Sequence, residues 1–197
     1  LDGKPEQRGS VPPAGSTWDN YEPKNNAARY QTWATAGLTG VWAEQNTRAS
    51  LFDAMRRKET YGTSGVRIRV RLFGGWGYKE SVFGAPDWVH GAYQAGVPMG
   101  GDLSRAPAGK APSFLVAALK DPIGANLDRY QIVKGWMDAS GKLHERVYDV
   151  VWGGNRKRGK DGKVTSVGST VDLRTATWTN TIGAPELIAV WSDPDFD

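Results

Sequence analysis

Cysteine is absent from the 197 residues. This excludes disulfide bridges, thiolate metal sites and a cysteine nucleophile. It leaves the compartment unknown, with a periplasmic or secreted location compatible. Histidine is almost as scarce: the two residues, His90 and His144, stand in no HxH, DxH or HExxH arrangement, so the common imidazole-based metal patterns are missing. No run approaches the roughly 20 apolar residues of a membrane-spanning helix, and no basic-then-apolar leader is visible. No glycine-rich phosphate loop follows a strand pattern. Net charge is +4, a mild excess that permits attraction to anionic partners without requiring nucleic acid. The opening LDGKPEQRGS lacks Met, as expected of a processed chain or one that starts inside a longer protein.

What is abundant is Gly, Pro and Trp, at 25, 11 and nine residues, a composition suited to strands and loops rather than a helical bundle. Residues 1–40 read as loop, with a short helical signal around Ala27 to Thr35. In GVWAEQNTRASLFDAMRRKET, Asn46 or Thr47 can cap a helix over about 47–60, because each offers a side-chain oxygen to free N–H groups. Leu51, Phe52 and Met55 fall at helical spacing, with Arg48, Arg56 and Lys58 toward solvent. The helix is expected to stop before Gly62, in the turn YGTSG.

The hydrophobic period then becomes two. In the strand at 66–73, Ile68, Val70 and Leu72 face one way and Arg67, Arg69 and Arg71 the other, which predicts one buried and one wet, basic face. The segment 74–99, rich in Gly and aromatics, is expected to be a long ordered loop. SFLVAAL at 113–119 is almost continuously apolar and should be a central strand. DRYQIVKGW at 128–136 should pair with KLHERVYDVVW at 142–152 across MDASGK. VTSVGSTVDL and ELIAVW at 186–191 complete the expected strands, and the set suggests an antiparallel β-sandwich.

No complete catalytic centre is legible. GTSG at 62–65 departs from the GxSxG elbow in spacing and in order, because it lies between a helix and a strand. Its glycines suit a helix-terminal turn, and Ser64 is not a convincing nucleophile. His144 reads as an exposed strand residue and His90 as a structural one. The basic run NRKRGKDGK at 155–163 lacks interleaved aromatics for base stacking and reads as a solvated hairpin tip. Asp193, Asp195 and Asp197 alternate as some cation ligands do, but without the glycine and distal glutamate of an EF-hand they read as a turn.

Longer stretches are more informative. GVWAEQNTRASLFDAMRRKETYGTSGVRIRVRLFGGW, GVPMGGDL, APSFLVAALKDPIGANLDRYQIVKGWMD, GKLHERVYDVVW, TNTIGAPEL and VWSDPDFD resemble the C-terminal half of the DUF3604 family. The resemblance covers nearly the whole chain from about residue 38, and LDGKPEQRG fits as well. That family resembles the PHP superfamily of metal-binding hydrolases, whose ligands lie in His- and Asp-containing motifs, one early and one of the form SDTH. Nothing here matches those motifs. The resemblance therefore implies ligands upstream of residue 1, divalent metals in the full-length parent and none in this chain. In the parent it implies a metal-activated water attacking a phosphoester or related ester.

The resulting expectation is a mainly β chain with an α-helical lead-in. Residues 1–65 would end a PHP-like catalytic domain with its last helix, and 66–197 would form an Ig-like or jelly-roll-like antiparallel β-sandwich lacking its final strand. The resemblance supplies no catalytic residue here. Trp42, Glu44, Asn46, Thr47 and Arg48, before and at the helix start, are candidates for a substrate rim; capping and surface charge explain the same residues. The expected partner is the rest of the same polypeptide, with self-association along an unpaired sheet edge, no nucleic acid and no membrane span. The alternative is a non-catalytic module that grips a glycan or a protein through the aromatic residues of 74–99.

Overall fold

A computed structural model describes residues 37–196. The expected short helix around 27–35 and the role of Asp197 lie outside the described residues. The elements in chain order are β1 (Leu38–Val41), α1 (Arg48–Arg56), β2 (Thr60–Thr63), β3 (Arg69–Gly75), a 3₁₀ turn (Glu80–Gly84), α2 (Trp88–Ala95), β4 (Gly96–Pro98), β5 (Ser113–Leu119), β6 (Arg129–Met137), β7 (Leu143–Trp152) and β8 (Glu186–Ser192). The chain is mainly β, its sheets are antiparallel, and a helix leads in. No described helix is long and apolar enough to cross a membrane.

The central sheet has the order β4-β3-β5-β8. The apolar run of β5 is central as expected: Leu115 and Val116, which point to opposite faces, are both fully buried. Each such side chain contributes about 1.5–3 kcal/mol by leaving water. Phe73 pairs with Leu115, and Leu115 with Val190. On their face lies a core of Phe73, Tyr78, Ala92 and Leu115, covered by Val82, Phe83, Trp88 and Val89 from the 3₁₀ turn and α2. On the opposite face the β6–β7 hairpin packs against β8 through Tyr148 and Trp191, ring centroids 4.9 Å apart. The hairpin and the four-stranded sheet form a sandwich-like pair of layers. A second two-stranded sheet, β1–β2, stands with α1 on the lead-in side.

Four expectations are corrected. First, α1 stops at Arg56 and the YGTSG turn is partly strand, because Thr60–Thr63 pairs with β1 from Val41↔Thr60 to Leu38↔Thr63. A Schellman cap ends the helix: the N–H of Glu59 bonds to Ala54 O and that of Lys58 to Met55 O, with Lys58 at φ 61°. Second, the segment 74–99 contains the 3₁₀ turn, α2 and β4 rather than a loop throughout. Trp88 and Ala92 lie one helical turn apart on the inward face of α2, while Gly91 weakens the helical signal.

Third, VTSVGSTVDL forms only isolated bridges, Arg158↔Val164 and Asp172↔Thr177. Its Ser and Asp side chains bond nearby N–H groups instead, as in Val171 N to Ser169 Oγ at 3.2 Å and Arg174 N to Asp172 Oδ1 at 2.9 Å. Fourth, the arginine face of β3 is not uniformly wet. The alternation is as expected, but Arg71 shares its face with the core residue Phe73 and is half-buried, whereas Arg69 is exposed.

Candidate functional site

Trp42 follows β1 and joins the lead-in to the central sheet. Its backbone N–H bonds to Glu59 O at 3.1 Å, and its indole Nε1 donates to Val70 O at 2.8 Å. These two bonds hold the ring against β3. The guanidinium of Arg71 lies over that ring, 3.6 Å from its centroid, close enough for a strong cation–π contact. Arg71 Nη1 donates to Tyr93 Oη at 3.4 Å, and Tyr93 in turn donates to the Glu59 carboxylate. Glu59 is 3% exposed, and Arg57 Nη2 reaches it at 3.5 Å.

These groups line an open cleft of about 600 Å³ between the segment after β1, the turn that follows α1, β3 and α2. Arg71 and Tyr93 lie along it, with Trp42, Arg57 and Glu59 beside them; His90 and Pro98 form part of the wall, and Glu44 lines it from the lead-in. Burial, then the Glu59 hydrogen bond, raises the Tyr93 phenol above its ordinary pKa. Tyr93 therefore acts as a neutral donor rather than as a base at physiological pH. His90 Nε2 is 2.9 Å from Gln94 Nε2, one turn along α2.

Of the five rim candidates, Trp42 and Glu44 line this cavity, and Asn46, Thr47 and Arg48 do not. Thr47 is the N-cap of α1: its Oγ1 accepts from Ser50 N at 3.3 Å. Asn46 and Arg48 are exposed beside it. The remaining lining residues were not among the sequence candidates. Arg71 could be seen only as one of three alternating arginines, and His90 only as an isolated imidazole. Arg57, Glu59 and Tyr93 carry no local signal, because the Schellman turn and α2 bring them together from 34 residues apart in the case of Glu59 and Tyr93.

The other polar groups serve the fold. The basic run 155–163 is not simply a solvated tip. Arg156 reaches back to Asp128 Oδ1 at 2.5 Å and to Gly153 O at 2.9 Å, and Arg158 donates to Asp149 O. Asp149 is 1% exposed and accepts from Val164 N at 2.6 Å and Gln131 Nε2 at 2.5 Å. Asp193 is paired with Lys134 and Asp195 with Arg146, each at 2.7 Å; their cationic partners make this an ion-paired turn rather than a cation site. His144 stacks on Trp136 and lies 2.7 Å from Asp138. The Asp138 carboxyl is held down at about 2, chiefly by His144 and then by Ser140. Among the described residues no group of three or more His, Cys, Asp or Glu side chains could hold a metal ion.

No curated protein and no solved structure matches the chain. A family model described as a protein of unknown function, DUF3604, matches residues 5–197. With nearly its whole length matched, the chain belongs to the DUF3604 family.

Proposed function

We propose that this chain is the C-terminal portion of a PHP-like, metal-dependent hydrolase acting on a phosphoester or related ester. In this reading its own role is structural and substrate-facing: it packs a β-sandwich against the catalytic domain and contributes the Trp42–Arg71 cleft as one wall of the substrate site. The observation that carries this reading is the Arg71 guanidinium carbon 3.6 Å from the centroid of the Trp42 ring, beside a cavity of about 600 Å³. That volume falls within the range of small-molecule sites.

The cleft itself does not fit a divalent cation. Glu59 is engaged by Tyr93 and Arg57, and both Arg57 and Arg71 place positive charge beside it. The metal of the proposed enzyme therefore belongs to residues outside this cleft. The test is hydrolysis of a panel of phosphomonoesters and phosphodiesters by the full-length protein, before and after chelation. Turnover that disappears with chelation and returns with a divalent metal supports the proposal; no metal-dependent hydrolysis across the panel contradicts it.

The alternative of a glycan- or protein-binding module depends on exposed aromatic residues in 74–99. Tyr78, Phe83 and Trp88 are instead taken up in or against the core, and Trp76 packs edge-on to Phe196 while its Nε1 donates to Ser104 O at 3.3 Å. Tyr93 is the exposed aromatic of this segment, at 39%, and it lines the Arg71 cleft. With the other four packed, no continuous aromatic platform remains, which favours the first reading.

A further inference from the structure

Arg71 is a charged donor with more capacity than its visible partners use. A guanidinium carries five N–H donors in a planar fork. Among the described residues the Arg71 side chain makes one hydrogen bond, the 3.4 Å contact to Tyr93 Oη, and no carboxylate lies within ion-pair distance. The nearby acid is committed elsewhere, since Glu59 accepts from Tyr93 and from Arg57. Trp42 covers one face of the guanidinium and is itself fixed by the Val70 carbonyl. The fork is thereby partly stripped of water and held in place before any ligand arrives. Preorganisation of this kind lowers the entropic cost of binding.

The geometry points to a receptor for an oxyanion: we infer that the cleft binds a small molecule bearing a phosphate, sulfate or carboxylate group, taken in a forked contact by Arg71. A planar guanidinium matches two oxygens of such a group, whereas a lysine ammonium does not. Arg57 and His90 also line the cavity and add donors around the anion. A volume of about 600 Å³ far exceeds what a bare ion needs, so a ligand body is expected along Trp42, Tyr93 and Pro98. Apolar contact with that body supplies most of the remaining burial. The inference names the ligand chemistry of the cleft proposed above as substrate-facing, and it rests on that reading.

Titration calorimetry on the chelator-treated full-length protein tests it, with phenyl phosphate, phenyl sulfate and benzoate as probes and benzyl alcohol as the neutral comparison. Working without metal separates failure of this site from failure of hydrolysis. At least one anionic probe is expected to bind, and to bind more tightly than benzyl alcohol; which of the three binds best identifies the oxyanion. Arg71→Ala and Arg71→Lys are each expected to weaken that probe about tenfold or more, the scale of a lost charged hydrogen-bond pair. Arg174→Ala removes the same charge from an exposed position and should leave affinity within about twofold. Absence of binding by every anionic probe overturns the inference. So does unchanged affinity in Arg71→Lys, which keeps the charge and the stem but loses the fork, or an equal loss in Arg174→Ala.

Discussion

Tyr78 ties three segments together with two polar atoms. Its hydroxyl donates to Ala92 O in α2 at 2.5 Å, and its backbone N–H bonds to Ser113 Oγ on β5 at 2.8 Å. Ser113 Oγ also donates to Gly75 O on β3 at 3.2 Å. The Tyr78 side chain is buried, and burial pushes the phenol up to about 12. An unfolded tyrosine ionises near 10, so the folded state resists ionisation. The stabilising contribution is complete below about pH 10 and is lost as pH rises toward about 12. Tyr130 is raised by burial to about 12 in the same way. The urea midpoint should therefore fall between about pH 9.5 and 11.5, and less steeply in Tyr78→Phe than in the parent protein. Equal steepness would show that Tyr78 is not the protected phenol. The same scale explains what sequence could and could not disclose about the cleft. Trp42 and Glu44 were legible because they precede a recognisable helix start. Arg71 was visible as an alternating arginine, yet its burial depends on Trp42 and Tyr93 arriving from other elements.

At the scale of elements, the end of α1 governs where the cleft residues fall. The Schellman turn places Lys58 in the left-handed region, at φ 61°, where a side chain is strained and glycine is not. Lys58→Gly should raise stability by about 0.5–1 kcal/mol in chemical denaturation, because it removes that strain at a helix terminus; a loss of stability would contradict this account of the turn. At the other end, Thr47→Ala removes the oxygen that receives Ser50 N and should cost about 1 kcal/mol. It should leave probe affinity unchanged, because Thr47 does not line the cavity; a matching loss of affinity would return Thr47 to the substrate rim. The strong periodic elements were readable from sequence: β5 from its continuous apolar run, β6 and β7 from the turn between them, and β8 from ELIAVW. The end of α1 was not, since a lysine occupies the position where a glycine would have marked the stop. Nor was α2, whose eight residues include Gly91, or the failure of VTSVGSTVDL to pair, which turns on competing side-chain bonds.

At the scale of the whole molecule, the described chain is a four-stranded sheet with helices on one face, a hairpin on the other and a helical lead-in at one corner. Among the described residues β8 pairs with β5 alone, so its outer edge presents unpaired backbone groups. Concentration-dependent association is expected in sedimentation velocity. Ile188→Lys, at a β8 position 38% exposed, should weaken that association by placing charge on the edge; a monodisperse monomer across the concentration range would remove the expectation. The cleft lies away from that edge, on residues contributed by the lead-in, β3 and α2, so its chemistry can be read independently of assembly. The central claim is that this cleft forms part of a substrate site. The most direct measurement is kcat/KM for the best phosphoester substrate of the metal-replete full-length protein, compared between the parent and Trp42→Ala at equal metal content. Trp42 supports Arg71 without belonging to a metal cluster, so the account predicts a fall of about tenfold or more. Unchanged kcat/KM in a folded, fully metallated Trp42→Ala protein would contradict it.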